Sequence, residues 1–182
     1  MVYAAKSLLR GESPRDFVDI IRSMKHRPNI VIADVANKIA TCGNRISHGM
    51  FRPHEGRLTD NTSENIAAAK EGTMELRLPF LDSSNSLFPS QTTDDRHPIS
   101  GSDQYLALFD WFHEGNCKDP AETLRNISLV KGLAGYVDTQ AAEQLFNSLK
   151  RDLYFINQMS PVVHLFIFRL LLHFHNDETK NY

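Results

Sequence analysis

Two carboxylates stand where phosphoryl-transfer chemistry would want them. Asp34 closes the apolar run Asn29-Ile30-Val31-Ile32-Ala33, and Glu143 leads a polar stripe of Gln140, Glu143, Asn147 and Lys150 at helical steps of three and four. Carboxylate oxygens are the hard ligands that Mg²⁺ takes, with water and phosphate oxygens in its other positions. Two such ions roughly 3.5–4 Å apart activate an attacking oxygen and neutralise a leaving one. That chemistry needs a further carboxylate, which does not stand out in the sequence. The competing reading of Asp34 is an N-cap for a turn beginning at Val35. For Glu143 it is a solvent-facing position on an amphipathic helix.

A second set, Cys42, His48, His113 and Cys117, has the residue types that hold zinc in a tetrahedron. Its spacings match no standard finger, and two buried thiols with surface histidines would give the same sequence. Basic side chains that could meet a phosphate backbone are Arg45, Arg52 and Arg57 after the apolar run, and Lys150 and Arg151 on the later helix. Lys plus Arg is 20 against 22 Asp plus Glu, a net charge of −2, so any hold on nucleic acid is local or comes from another segment. No Ser-His-Asp arrangement or glycine-rich phosphate loop stands out.

The elements that must place these groups are partly readable. Ser13-Pro14-Arg15-Asp16 predicts a helix start: a Ser cap, a proline where its missing N–H is harmless, and an acid at the positive helix end. Phe17, Ile20, Ile21 and Met24 form its apolar stripe, and Pro28 ends it. Ile30 to Ala33 is β-branched without alternation, which predicts a strand buried on both faces of a parallel sheet. Asp34 then lies at the carboxyl edge, where open α/β sheets bind ligands. A short helix or turn over Val35–Thr41 stopped by Gly43 and a loop from Asn44 to Asp60 follow. Asn61 with Glu64 reads as a capping box for a helix ending at Gly72, and Met74, Leu76, Leu78 and Phe80 as an edge strand.

Residues 82–102, rich in Ser, Asp, Asn, Thr and Pro, read as a loop or insertion. Helices are then expected from Gln104, with Tyr105, Leu106, Leu108, Phe109 and Phe112 as a packed face; from Asp119 to Gly132; from Asp138 or Thr139; and after Pro161. The apolar run of the last, Pro161 to Phe174, carries His164, Arg169 and His173 and is shorter than the roughly 20 residues of a bilayer span, so a buried core helix is expected and no membrane insertion. A length of 182 residues with 41% hydrophobic content suits one sizeable core. Two cysteines and a start, Met1 to Lys6, without a secretory core fit a reducing intracellular compartment.

Ile30 to Ala36, Tyr136 to Ser148, and Met159-Ser160-Pro161 with His164 and Asn176 resemble the C-terminal half of a DDE transposase core of the Kyakuja-Dileera-Zisupton (KDZ) type. The resemblance spans Asp16 to Asn176. It implies an α/β, ribonuclease-H-like fold, helix-rich and truncated at its amino end, as a single partial domain over 1–182. The parent would cleave and transfer DNA strands with Mg²⁺. Asp34 would be its second metal-binding carboxylate and Glu143 its third, with the first on a strand preceding this chain; Asp16 and Asp19 sit on the wrong element to replace it. The chain alone would then have little or no activity. DNA as partner and a nuclear setting are also implied. The alternative is a non-enzymatic DNA- or protein-binding module, beside an HMG box on a longer chain.

Overall fold

In the computed structural model the chain is a mixture of helices and a small parallel sheet, an α/β arrangement. Described are residues 12–81, 96–116, 118–133, 137–138 and 141–180, without the side chains of 142, 143, 146, 148, 151–153 and 180. Most of the expected 82–102 loop, Cys117 and the start of the Glu143 helix at Thr139 and Gln140 therefore lie outside the described residues. Two compact units divide the chain, Ser13–Thr139 and Met1–Glu12 with Gln140–Tyr182, and each is described by itself.

In the first unit, helix α1 (Pro14–Ser23) begins as its sequence predicts. Asp16 Oδ2 accepts from the Ser13 N–H at 3.0 Å and the Ser13 hydroxyl at 2.6 Å, so one carboxylate satisfies the donors of the helix start. Val18 and Ile21 are buried. Strand β1 (Ile30–Ile32) follows and pairs in parallel with β2 (Leu106–Leu108), in the register Ile30 with Leu106 and Ile32 with Leu108. Alternation sorts the side chains onto two faces. Val31, Ala33, Ala107 and Phe109 pack with Val18, Ile21, Ile39 and Phe51, while Ile30, Ile32, Leu106 and Leu108 pack with Leu78, Ile127 and Val130.

The expected helix from Gln104 is thus a strand. A run of five apolar residues has no period that separates strand from helix, and Tyr105 to Phe109, buried throughout, fits the shorter element. The segment from Asp119 to Gly132 likewise departs from a single α-helix. Asp119 does cap it, accepting the Ala121 N–H at 3.0 Å, but two 3₁₀ turns form, Pro120–Arg125 and Ile127–Leu129. Its backbone is drawn into sheet-like pairing: Phe109 N–H donates to Arg125 O at 2.8 Å, and Val130 bridges Leu76. That bridge is the extent of the expected edge strand among the described residues, and a 3₁₀ turn takes over at Pro79–Leu81. Helix α3 (Ser63–Lys70) is capped by Thr62, whose hydroxyl accepts the Asn65 N–H at 3.2 Å, and not by Asn61.

Helix α2 (Ala36–Ile46) runs through Gly43, which was expected to stop it. The glycine is there for packing: a Cβ would stand 2.7 Å from Phe51 Cε2 and 2.9 Å from Cδ2. Gly43→Ala gains about 1 kcal/mol of helix propensity but drives a methyl into a buried ring, an overpacking of roughly 1–3 kcal/mol. Two contacts below 3.0 Å place it at the upper end, so a lower urea midpoint is expected. A midpoint equal to or above that of the parent protein would contradict this packing.

The turn from 97 to 102 ties onto β1 through Asn29, whose amide donates to Gln104 O at 2.6 Å and whose Oδ1 accepts from the Ser100 hydroxyl. His97 Nδ1 accepts the N–H groups of Ile99 and Ser100, each at 3.3 Å, which requires that nitrogen unprotonated. Burial of the ring, and then the neighbouring His26, push the His97 pKa below its ordinary 6.5. The folded chain therefore resists a proton that the unfolded chain accepts, so stability from this residue is present above 6.5 and is lost as pH falls through the lowered folded value. Urea midpoints are expected to drop on acidification in the parent protein and to drop less steeply in His97→Gln. Equal slopes would remove His97 from the account.

In the second unit, α4 (Ala141–Ile156) and α5 (Pro161–Lys180) are the helices. Leu149 and Ile156 of α4 are buried, and His164 Nδ1 lies 3.2 Å from Ile156 O. Helix α5 is not the buried core helix expected: Val162, Phe166 and Phe174 are 79%, 61% and 59% exposed. An all-round apolar helix needs neighbours on every side, and α4 covers only part of it. Among the described residues no helix is long and apolar enough to cross a membrane.

Candidate functional site

The carboxyl end of the sheet gathers the acids. Asp34 follows β1 and Asp110 follows β2, each two residues beyond the last paired position, Ile32 with Leu108. Parallel pairing is what sets both acids at one edge; an antiparallel partner would have sent the second to the opposite end. The N-cap of α2 is Val35 without a side-chain bond, and the Lys38 N–H goes to Val35 O and Asn37 Oδ1. Asp34 is therefore not the helix cap its sequence position also allowed. It is exposed and has no hydrogen-bond or ion-pair partner among the described residues.

Asp110 is held differently. Its Oδ1 accepts the N–H groups of Phe112 at 2.9 Å and His113 at 3.1 Å, and His113 Nδ1 stands 2.7 and 2.8 Å from Oδ1 and Oδ2. Sequence reasoning missed Asp110 because it placed Gln104 to Phe112 on a helix, where an acid after Phe109 has no special position. The signal was present as a short apolar run ending in Asp, the same pattern as at Asp34.

Beside this edge lies a buried charge network. Arg125, 2% exposed, donates from Nε to Glu122 Oε2 at 2.7 Å, from Nη1 to Ala107 O at 3.1 Å and from Nη2 to Glu55 O at 3.0 Å. Arg57 bonds Glu122 Oε1 at 2.7 Å and Glu55 Oε2 at 2.6 Å. Burial pulls the Arg125 pKa down, against the pull of Glu122, while for Arg57 the bonds to Glu55 and Glu122 outweigh burial and raise it. The network holds a turn in which His54 and Glu55 have φ of 50° and 56°, a conformation costing about 1–3 kcal/mol for each non-glycine residue. Gly56 completes the turn at φ 81°, with space for no Cβ: Phe51 Cβ would be 2.8 Å away.

The other sequence-predicted site residues are spread out. Glu143 is on α4, in the other unit from Asp34, and its side chain lies outside the described residues, as does that of Arg151; Lys150 is exposed on the same helix. Arg45 is exposed on the last turn of α2. Arg52 bridges Tyr105, which places it at the amino end of β2, away from Asp110, with its Nε donating to Asp103 O at 3.1 Å. The guanidinium of Arg57 is occupied by two carboxylates. Of the zinc set, Cys42 is buried in the core against α1, His48 is exposed, and His113 is bonded to Asp110. Among the described residues no three His, Cys, Asp or Glu are grouped to hold a metal ion.

Mg²⁺ in general is bound through one or two carboxylates together with substrate phosphates and waters. Asp34 is exposed, and both oxygens of Asp110 lie within hydrogen-bond distance of His113 Nδ1.

Fold and site define an α/β domain with acids at the carboxyl ends of adjacent parallel strands. In sequence the chain is similar to HMG domain-containing protein 3 of Homo sapiens, 24% identical over 149 residues that make up 78% of this chain and 11% of that protein. The chain thus spans about a tenth of the length of the curated relative it matches. No protein-family model matches it, and no solved structure matches it.

Proposed function

We propose that this chain is a ribonuclease-H-like domain derived from a KDZ-type DDE transposase, acting on DNA phosphodiesters with Mg²⁺, in a nuclear protein of the HMG-domain kind. The observation that carries the reading is the pair Asp34 and Asp110, each two residues past the last paired position of neighbouring parallel strands. These would be two strand-borne carboxylates of such a site. Glu143 is the acid that the resemblance adds. A bound Mg²⁺ would neutralise charge developing on the phosphate during strand cleavage. The chain's own part is to fix Asp110 through the N–H groups of Phe112 and His113 and to leave Asp34 open at the same edge.

Nicking of supercoiled DNA in Mg²⁺ is the test. Asp34→Ala, Asp110→Ala and Glu143→Gln are each expected to lower it at least about 100-fold, a typical loss for groups that stabilise transition-state charge. Nicking that survives Asp34→Ala combined with Asp110→Ala would refute the catalytic reading. The exposed apolar residues of α5, Val162, Phe166 and Phe174, favour a second reading as a protein-binding module. Capture of a partner that is lost in Phe166→Ser, from a chain that neither nicks DNA nor binds Mg²⁺, would support that reading instead.

A further inference from the structure

We propose that α5 is the seam of a dimer, pairing antiparallel with α5 of a second copy of this chain; the inference rests on the protein-binding reading above and names its partner. Among the described residues of the second unit, Leu149 and Ile156 are the large apolar side chains that are buried, whereas eight are exposed. The faces of α5 differ. His164, Phe168, Leu171 and His175, at steps of three and four, are half-buried, and His164 reaches α4 at Ile156 O. Val162, Phe166, Leu170 and Phe174 recur at steps of four away from that face, and all but Leu170 are exposed.

Area and charge together select a second copy. A Phe or Tyr offers roughly 150–250 Å² to burial, so the rings of Tyr154, Phe155, Phe166 and Phe174, 59–68% exposed, leave about 400–600 Å² open. Val162, Val163 and Leu165 add to this, which brings the unit toward the ~800 Å² that each partner supplies to a standard interface. Two helices joined by the short link 157–160 form half of a four-helix bundle, and a second such hairpin completes the core. Helix α5 has no acid in its first turn, where the helix dipole favours one, and carries Asp177 and Glu178 near its end, where the dipole disfavours them. An antiparallel copy sets the acids of each helix beside the start of the other and opposes the two dipoles. A parallel copy would set Arg169 against Arg169 and acids against acids, a like-charge cost.

The experiment is sedimentation equilibrium of the full chain over a wide concentration range, with helix content followed by circular dichroism. The mass is expected to rise with concentration from 20.7 kDa toward twice that value. Phe166→Glu is expected to weaken association at least about 30-fold, the loss of a buried anchor. Asp177→Lys/Glu178→Lys is expected to weaken it about tenfold while helix content holds or rises, because lysines suit the C-terminal end of their own helix. That opposite movement separates a contact between copies from simple unfolding. A chain that stays at 20.7 kDa at every concentration overturns the inference, as does association that Phe166→Glu leaves intact or that the two lysines leave intact or tighten. If the chain stays monomeric and Phe166→Ser loses a different protein, the inference alone fails. If the chain stays monomeric and holds no protein through Phe166, the protein-binding reading fails with it.

Discussion

Glu122→Ala is expected to destabilise the first unit by about 3–5 kcal/mol, the cost of stranding one partner of a buried ion pair. Glu122 is 5% exposed and receives Arg125 Nε and Arg57 Nη2, both at 2.7 Å. Without it Arg125 remains a buried cation whose other donors are committed to two backbone carbonyls, Ala107 O and Glu55 O. Total stability of an ordinary domain is about 5–15 kcal/mol, so the variant should sit near the edge of folding. Removing both charges in Glu122→Leu with Arg125→Met should cost less than the two single changes summed, since Arg125 is no longer stranded, although Arg57 still loses one of its two carboxylates. The two carbonyls would still lose their donors, which keeps the double variant below the parent protein. Urea midpoints settle it: a Glu122→Ala protein within about 0.5 kcal/mol of the parent would mean that the network does not carry the turn.

The second large effect concerns the cation. A ligand that binds only the folded state stabilises it by about 2.7 kcal/mol at one hundred times its dissociation constant. Mg²⁺ should therefore raise the thermal midpoint of the parent chain and leave that of Asp34→Asn/Asp110→Asn unmoved. The two substitutions remove charge without changing shape, and Asp34 has no structural bond to lose. Equal midpoint rises in both proteins would assign the effect to general ionic screening.

How much could be read beforehand depended on range. The start of α1 was legible because Ser13, Pro14 and Asp16 act within four residues of one another. β1 was legible from three β-branched residues in a row. β2 was not, because what makes Leu106 to Leu108 a strand is its distant partner, Ile30 to Ile32. Asp110 was hidden for the same reason: its place at a sheet edge follows from that pairing. Gly43 resembled a helix stop until the ring of Phe51, eight residues on in sequence, stood against it. Arg57, read as a phosphate contact, forms part of an internal network with Glu55 and Glu122 that no local pattern discloses. In α5, composition gave an apolar helix but not its neighbours, and exposure depends on neighbours.

The most direct test places the ion on the chain. Substoichiometric Mn²⁺ added to the full isotope-labelled chain broadens nuclear magnetic resonance signals of amides close to the bound ion. The expected result is early loss of the signals from Ala33 to Val35 and from Phe109 to His113, reversed by excess Mg²⁺ and absent in Asp34→Asn/Asp110→Asn. Signals at both strand ends that persist while others broaden, or broadening that the double variant shares, would contradict a metal site at Asp34 and Asp110.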